Sequence, residues 1–369
     1  MKADAKFWHG RGAGQGASVR PTASLPLAGT NSGETTVSAN ADSRPAAVYA
    51  ALDLGTNNCR LLLAKPAAEG FTVVGSFSRP TRLGEGLVAS GRLSDAAVDR
   101  TLRALAECRV RLRRTGARRQ RAVATEACRR AVNGISFLER ARRETGWDLE
   151  VLTPDAEARL MLAGCAPLLD RRGGHALVFD IGGGSTELVV VRTESASTVT
   201  ADDAVEAVAS LPLGVVTLCE SHGAALRTPE GFAAAVAEAG RHLRAFDPEG
   251  RLARLAATGA MQLLGTSGTV TTIAGVHLGL RRYDRRAVDG VEIDMEAAVA
   301  ASRCLSDASH ELRAAHPCVG ADRADLTLAG CAVFQAIASL LPVRRLRVAD
   351  RGLREGMVLT MMREDRPTQ

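Results

Sequence analysis

The chain has 369 residues and a mass of 38.7 kDa, enough for two domains of ordinary size with a hydrophobic core each. Its apolar fraction of 46% is that of a globular protein, and no segment approaches the ~20 apolar residues of a membrane span. The formal charge of +6 is compatible with a polyanionic ligand. The eight cysteines are scattered without a CxxC pair, so we predict buried thiols in a reducing, cytoplasmic compartment, without zinc or disulfides.

Residues 1–46 are rich in Gly, Ala, Ser and Thr and hold no apolar run of signal-peptide length. Such a segment cannot bury enough surface to offset its chain entropy. We therefore predict a disordered N-terminal tail, and a folded part that begins near residue 47.

The folded part opens with a predicted strand–turn–strand unit over residues 48–64. Its two apolar runs, at 48–54 and 59–64, are short and rich in β-favouring residues, and a third strand is predicted at 71–78. The runs are separated by an acid, Asp53, and a turn that contains glycine, hydroxyl and amide residues. Such a turn can present hydrogen-bond donors to an anion.

A helix is predicted from Ser94, which can act as its N-cap, to about Arg114, followed by a strand at 121–125. The helix ends in an arginine-dense run over residues 109–121. A charge run of this kind is most often a solvated face, and the alternative is a rim that attracts polyphosphate or nucleic acid. No aromatic residues are interleaved with it, which argues against a platform for single-stranded nucleic acid.

Glu157 lies where a further helix is predicted to begin. A helix from about Ser136 and a short strand at 149–152 come first, and Thr153 or Asp155 then provides the N-cap. A glutamate in the first helical turn often does no more than complement the helix dipole. Composition alone favours that interpretation.

Residues 178–191 form a second strand–turn–strand unit. An apolar run ends in Asp180, three glycines and Ser185 follow, and Glu187 opens another β-branched run. Three glycines remove every Cβ from the turn, so backbone N–H groups can crowd onto an anion, and the two acids can hold a hard cation beside it. Taken alone, such a turn is as often a plain β-turn without a ligand.

The unit at 178–191 repeats the pattern of the unit at 48–64, which indicates an internal repeat at the scale of a domain. Two such turns that face each other across a cleft would clamp one phosphorylated ligand. This repetition favours the anion-binding interpretation of both turns.

The second half alternates predicted strands and helices, which argues for an α/β fold with mixed sheets. A strand and a helix start lie at 211–218, a helix follows at 229–246, and residues 263–272 read as strand, glycine and hydroxyl turn, and helix. The free N–H groups of that helix start offer a third anion site, and the alternative is a cap of small residues for close packing. Helices at 292–306 and 322–341, a strand at 343–349 and a last helix after Gly356 complete the chain.

Eight motifs in this order resemble the exopolyphosphatase and guanosine pentaphosphate phosphohydrolase (Ppx/GppA) family, a branch of the actin, Hsp70 and sugar-kinase superfamily. The resemblance extends over residues 48–365. One segment, Thr125 to Ala127, departs from the small-residue version that is usual in the family. The motifs are Asp53 to Asn57 with Arg60, Arg82 to Gly86, Thr125 to Asn133, Glu157 to Arg159, Asp180 to Glu187, Pro212 to Gly214, Gly265 to Thr269 and Arg351 to Gly356.

The resemblance implies an α/β chain with two ribonuclease-H-like domains around an interdomain cleft. We place the N-terminal actin-like domain at 47–172 and the second at 173–369, with a last helix able to pack back on the first domain. The resemblance also implies a homodimer. It makes Glu157 the catalytic base for water, which replaces the helix-dipole interpretation.

The same resemblance assigns the remaining site residues and the cofactor. The expected cofactor is Mg²⁺ or another divalent cation, near Asp180, Glu187 and Asp53. Arg60 and Arg129 match positions at which, in the family, basic residues face the phosphate chain. The predicted phosphate-binding residues are Gly55, Thr56, Asn57, Asn58, Arg60, Arg129, Gly182, Gly183, Gly184, Ser185, Gly265, Thr266, Ser267 and Gly268.

The predicted activity is hydrolysis of the terminal phosphoanhydride of inorganic polyphosphate. Guanosine pentaphosphate is the alternative substrate, because it presents a terminal phosphoanhydride to the same turns. Two other classes remain open: an ATP-dependent kinase of the same superfamily, for which we see no sugar-binding signature, and a non-catalytic sensor of polyphosphate or alarmone. Neither nucleic acid nor a membrane is an expected partner.

Overall fold

The computed structural model describes residues 47–172, 174–193 and 203–365. The predicted N-terminal tail lies outside the described residues. The strands are β1 (Tyr49–Leu54), β2 (Asn58–Pro66), β3 (Phe71–Pro80), β4 (Arg119–Ala124), β5 (Glu150–Val151), β6 (His175–Ile181), β7 (Thr186–Arg192), β8 (Val205–Leu211), β9 (Met261–Thr266), β10 (Glu292–Asp294) and β11 (Arg345–Val348).

Helices cover both sheets. They are α1 (Leu87–Ser90), α2 (Asp95–Thr115), α3 (Glu126–Arg130), α4 (Gly134–Thr145), α5 (Pro154–Cys165), α6 (Val215–His222), α7 (Pro229–Phe246), α8 (Arg251–Ala257), α9 (Ser267–His277), α10 (Arg285–Val288), α11 (Met295–Asp307), α12 (His310–Ala315), α13 (Ala324–Leu340) and α14 (Leu353–Glu364). None of those found in the described ranges is long and apolar enough to cross a lipid bilayer.

The two sheets share a common five-strand order, to which the second sheet adds the antiparallel edge strand β10. The first has the order β3-β2-β1-β4-β5, and the second has the order β10-β11-β9-β6-β7-β8. In each sheet three antiparallel strands, β1–β3 or β6–β8, are followed by parallel partners of the first strand. The prediction of an α/β chain with mixed sheets is confirmed, and the repeated order extends the internal repeat from the turns to whole sheets.

Local capping explains where the helices nearest the site begin. Ser94 precedes α2, and its Oγ accepts a hydrogen bond from the Ala97 N–H at 3.3 Å. Thr153 precedes α5 and its Oγ1 accepts from Ala156 at 3.2 Å, with proline as the first helical residue. Thr153 is therefore the cap of the helix that carries Glu157.

Helices α5 and α14 connect the two sheets. Met161 and Leu162 of α5 pack against strands of the second sheet, whereas Met357 and Val358 of α14 pack against strands of the first. The two helices cross with little space between them, because a Cβ on Gly356 would lie 1.8 Å from the Leu160 carbonyl oxygen. Each sheet thus carries a helix from the other half of the chain, although the predicted division at residues 172 and 173 stays a prediction.

The arginine-dense run at the end of α2 has mainly structural contacts. Arg109 lies over the Trp147 ring with 4.1 Å to the centroid. Arg119 forms ion pairs of 2.7 Å with Glu364, the last residue of α14, and with Asp365, which follows it. These contacts favour a structural surface over a rim that attracts polyphosphate or nucleic acid.

One predicted helix is partly wrong. The segment 292–306 does not begin as a helix, because Glu292–Asp294 form strand β10 at the edge of the second sheet and pair with β11. The helix begins only at Met295. Pairing with a strand about fifty residues away outweighs the local helix preference here.

All eight cysteines are free thiols, and seven of them are buried. The Sγ atoms of Cys59 and Cys108 lie 3.9 Å apart, as a hydrogen-bonded pair of thiols and not as a disulfide. This arrangement agrees with the prediction of buried thiols.

Candidate active site

The first predicted turn joins β1 and β2 and is fixed from two directions. The Gly55 N–H donates to the Asn58 carbonyl at 2.9 Å, which closes the turn. The following loop then covers it, since the N–H groups of Thr81 and Gly84 donate to carbonyls of the turn, each at 2.9 Å. Asp53 lies directly across the strand pair from Arg60.

The second predicted turn joins β6 and β7 and is held by a helix start. The Gly182 N–H donates to the Ser185 carbonyl at 2.9 Å. The N–H groups of Val215 and Val216, at the beginning of α6, donate to the Gly182 and Gly183 carbonyls at 2.9 and 2.8 Å. Because these carbonyls are occupied, the turn keeps its orientation. The Gly182 N–H is used inside the turn, whereas the N–H groups of Gly183 and Gly184 donate to no described acceptor.

The tips of the two turns are in contact. A Cβ on Gly183 would lie 3.0 Å from Thr56 Cβ and 3.4 Å from the Asn57 nitrogen, and a Cβ on Gly184 would lie 2.7 Å from Thr56 Oγ1. Only glycine permits this approach. The N–H groups of Thr56, Asn57, Gly183 and Gly184 donate to no acceptor in the part of the chain that the structure describes, so the two contacting turns carry four available backbone donors.

The third predicted turn connects β9 to α9. Ser267 has φ of 92°, a left-handed conformation that is uncommon for a residue other than glycine. Its Oγ is buried without a hydrogen-bond partner among the described residues. Gly265, in contrast, lies within β9, where the Phe179 ring fills the space that a side chain would need. This gives Gly265 a packing role, and its phosphate contact stays a prediction.

Four carboxylates lie around the turns, on Asp53, Glu157, Asp180 and Glu187. Burial raises the pKa of all four. The negative charge of Glu187 adds to the rise at Glu157 and at Asp180, whose pKa reaches about 7. Such a group of buried acids is unfavourable for folding alone and is typical of a functional site.

Glu187 is the best-satisfied of these carboxylates. Its Oε1 accepts hydrogen bonds from the hydroxyls of Ser185 at 2.6 Å and Ser210 at 2.8 Å. These bonds oppose the rise in its pKa that burial causes. The predicted phosphate ligand Ser185 therefore uses its hydroxyl to orient an acid.

Glu157 projects from the first turn of α5 into the same cluster. Its Oε2 lies 3.4 Å from Arg129 Nη1, and only 12% of its side chain is exposed. Burial first, and then the charge of Glu187, hold the pKa of Glu157 well above its ordinary value, against the opposing effect of Arg129. This places a carboxylate with an elevated pKa beside the two turns.

The guanidinium of Arg129 already donates hydrogen bonds to neighbouring groups. Its Nη2 donates to Glu126 at 2.6 Å, and its Nη1 donates to the Leu152 carbonyl at 2.6 Å as well as to Glu157. The structure thus shows Arg129 as an ion-pair partner of two acids, and its phosphate contact stays a prediction.

Asp53 and Asp180 have the character of cation ligands. Neither carboxylate accepts a hydrogen bond from any described residue, although both are largely withdrawn from water. No group of three or more His, Cys, Asp or Glu side chains within the described ranges could hold a metal ion by itself. Magnesium at phosphate sites commonly takes only one or two carboxylates, with water and phosphate oxygens as its other ligands. The residues present therefore fit such a cation.

The cost of burying Asp180 leads to a stability prediction. Its folded pKa of about 7 lies above the ordinary value, so ionisation in the folded state costs free energy that grows as the pH rises toward 7. We expect Asp180→Asn to raise the free energy of unfolding by up to about 4 kcal/mol at pH 8 without divalent cations, and by less at pH 5. Urea unfolding at both pH values tests this, with the exposed Asp148→Asn as control, and a loss of stability at pH 8 would contradict it.

Contacts between the two halves of the chain lie next to the turns. Glu220 of α6 accepts hydrogen bonds from the N–H groups of Gly86 at 2.6 Å and Val88 at 3.2 Å. Arg82 forms an ion pair of 3.3 Å with Asp322. The loop after β3 therefore contacts the second half of the chain next to the turns.

Two residues near the site were not among those predicted from the sequence. Glu126 is buried, pairs with Arg129 and lies against Gly184. Arg354, at the start of α14, lies close enough to Asp53 to oppose the rise in its pKa. The signals for both were present in the sequence, since Glu126 lies in the segment Thr125 to Ala127 that departs from the family pattern and Arg354 belongs to the motif Arg351 to Gly356.

The chain is similar in sequence to proteins of known name. A Haemophilus influenzae protein with the name "Putative exopolyphosphatase" is 26% identical over 320 residues, which cover 85% of this chain and 90% of that protein. A guanosine-5'-triphosphate,3'-diphosphate pyrophosphatase of Aeromonas hydrophila is 29% identical over 316 residues. That alignment covers 85% of this chain but 59% of the longer relative.

Solved structures similar to this chain point to the same family as the sequence comparisons. The crystal structure of the Aquifex aeolicus member of the Ppx/GppA family superposes with a TM-score of 0.70 at 28% identity, covering 87% of this chain and 100% of that one. The predicted fold, with two actin-like domains, is confirmed by this likeness. The family model of the Ppx/GppA phosphatases matches residues 62–365, and the chain belongs to that family.

Proposed function

We propose that the protein hydrolyses the terminal phosphoanhydride of inorganic polyphosphate and releases orthophosphate. The observation that carries this proposal is the contact between two turns whose four free N–H groups lie beside a buried acid with a raised pKa. The exopolyphosphatase name of a relative that aligns over most of its length supports the same substrate.

The residues divide the reaction between binding and water activation. The N–H groups of Thr56, Asn57, Gly183 and Gly184 donate to the terminal phosphoryl oxygens, where negative charge is held during transfer. Glu157 orients a water molecule toward the phosphorus atom and accepts its proton. A raised pKa makes this carboxylate a stronger base than an ordinary glutamate and brings it nearer the pH of the cell.

We propose that Asp180 and Asp53, with Glu187 close by, would hold a divalent cation together with water and phosphate oxygens, and that the cation is Mg²⁺. When bound, such an ion neutralises charge on the phosphate oxygens. Asp53 and Asp180 accept no hydrogen bonds from the described residues and are free to bind it.

Guanosine pentaphosphate is a second candidate substrate. It presents the same terminal phosphoanhydride, and the pyrophosphatase of Aeromonas hydrophila, named for guanosine-5'-triphosphate,3'-diphosphate, aligns with 85% of this chain. A non-catalytic sensor would need the N–H donors but would gain nothing from Glu157 beside them. We therefore favour an enzyme.

Phosphate release by the purified protein tests the proposal. The substrates are long polyphosphate, inorganic tripolyphosphate, guanosine pentaphosphate and ATP, each with Mg²⁺ and with EDTA, and Glu157→Gln serves as a control for contaminating phosphatases. We expect hydrolysis of polyphosphate in Mg²⁺ and little in EDTA. Faster hydrolysis of guanosine pentaphosphate would favour the second candidate, and failure with all four substrates would exclude an enzyme of this class.

We also propose that the protein works in the cytoplasm, which the eight free cysteines support. The homodimer and the absence of a nucleic-acid partner stay predictions. Size-exclusion chromatography with light scattering would measure the mass in solution.

A further inference from the structure

The arginines around the site differ in how their hydrogen-bond donors are occupied. Arg129 donates to two carboxylates and a carbonyl, and Arg323 donates to two backbone carbonyls at 3.0 and 2.9 Å. Arg60 and Arg354, in contrast, donate to no acceptor among the described residues. The two arginines with available donors are therefore the ones best prepared for an anion.

Arg354 is largely buried, with 19% of its side chain exposed. Its nearest carboxylate oxygen, Glu355 Oε1, is 3.9 Å away and already accepts a hydrogen bond from Arg285 at 3.0 Å. The other oxygen of Glu355 accepts from the Gly352 N–H at 2.9 Å. A guanidinium has five N–H donors, and removing these donors from water without other acceptors is unfavourable. A bound ligand can supply the missing acceptors.

The start of α14 lies inside the site, which puts Arg354 next to the reacting groups. A Cβ on Gly352 would lie 4.0 Å from Asp180 Oδ2, and the Thr266 hydroxyl donates to the Arg351 carbonyl at 2.7 Å. The charges of both Arg60 and Arg354 oppose the rise in the pKa of Asp53. Two arginines from different elements thus lie near one carboxylate.

We propose that Arg354 is a substrate-binding residue, which together with Arg60 binds the non-bridging oxygens of a phosphoryl group in the polyphosphate chain. This inference rests on the proposed function. The planar fork of a guanidinium matches two phosphate oxygens, which a lysine cannot do. Glu355 is a positioning residue, because its bonds to Gly352 and Arg285 fix the helix start from which Arg354 projects.

Binding of inorganic tripolyphosphate, measured by calorimetry in the Glu157→Gln background so that the ligand persists, tests Arg354. We expect Arg354→Met to raise the Kd about 10- to 100-fold, the usual effect of losing charge-assisted hydrogen bonds. The Kd of Arg354→Lys should lie between those of the parent and Arg354→Met, because lysine keeps the charge but lacks the planar fork of donors. Arg363→Met, an exposed arginine on the same helix, is the matched control and should leave the Kd unchanged.

The outcomes separate this inference from the proposed function. If tripolyphosphate binds the parent and Arg354→Met equally well while Arg60→Met weakens binding, Arg354 is not a ligand and the proposed function stands. If the protein with intact Glu157 neither binds nor hydrolyses tripolyphosphate, both fail. If Arg354→Met does not fold, Arg354→Lys decides, because a wild-type Kd in that variant overturns the need for the planar fork. In the double variant with Arg60→Met, shared binding predicts a loss smaller than the product of the two single losses.

Discussion

Glu157→Gln is expected to lower kcat for polyphosphate by about 10²- to 10⁴-fold, the usual range for removal of a general base. The amide keeps the shape of the side chain but cannot accept the proton of the attacking water. KM should change little, because the phosphate donors belong to other residues. Initial rates of phosphate release at saturating polyphosphate measure the effect.

A matched control comes from the same helical turn. Asp155→Asn also removes an acid from the first turn of α5, but Asp155 is exposed and pairs only with Arg159 among the partners that the structure shows. If Glu157 merely complemented the helix dipole, the two variants would have the same small effect, below about 1 kcal/mol on stability and none on kcat. A wild-type kcat in Glu157→Gln would remove the proposed base.

The pH dependence follows from the raised pKa of Glu157. The base works as a carboxylate, so kcat falls as the pH drops below its pKa, and the raised pKa moves this fall to a higher pH than an ordinary glutamate would give. We expect Glu157→Gln to lose the part of this acidic limb that Glu157 contributes, so that only the fall caused by protonation of Asp180, whose pKa is about 7, remains. Rates between pH 5.5 and 9 at fixed Mg²⁺ test the shape of both profiles.

The two hairpins could be predicted from the sequence because everything that forms them is local. Short β-branched runs, a glycine turn and an acid at a fixed distance specify strand, turn and strand, and the expected strand at 48–54 is observed at Tyr49–Leu54. The helix cap at Thr153 is equally local. These elements also bring most of the proposed site together, since the repeated topology apposes the two turns.

Most electrostatic partners of the site could not be predicted, because they come from distant segments. Glu126 and Arg129 are an i,i+3 pair on α3, but no spacing rule links Arg129 to the Leu152 carbonyl or to Glu157. The position of Arg354 likewise depends on how α14 returns to the first sheet. The same limit explains β10, whose pairing with β11 turned a predicted helix start into a strand.

Gly214→Ala is expected to lower kcat/KM for polyphosphate by about 10²-fold although Gly214 is not a proposed ligand. Its backbone is extended, with φ of −127°, so alanine is compatible with the conformation. The obstacle is space, because a Cβ would lie 2.4 Å from the carbonyl carbon and oxygen of Gly183. Backbone cannot move aside as a flexible side chain does, so the glycine turn must shift. Overpacking of this kind costs about 1 to 3 kcal/mol of stability.

The loss should fall on phosphate binding, since the shift would misplace the free N–H groups of Gly183 and Gly184 relative to Thr56. Gly240→Ala is the control: it lies within α7, and its Cβ would meet only the flexible end of Arg244 at 3.2 Å, so we expect unchanged activity and equal or higher stability. Thermal melts show whether each variant is folded, and the Kd for tripolyphosphate then measures the effect on the turn alone.

If Gly214→Ala folds and keeps the wild-type kcat/KM, the turn held by α6 is not where the phosphoryl group binds, whatever the result for Glu157. If it loses binding while Glu157→Gln loses only kcat, binding and water activation belong to separate elements, as the geometry requires.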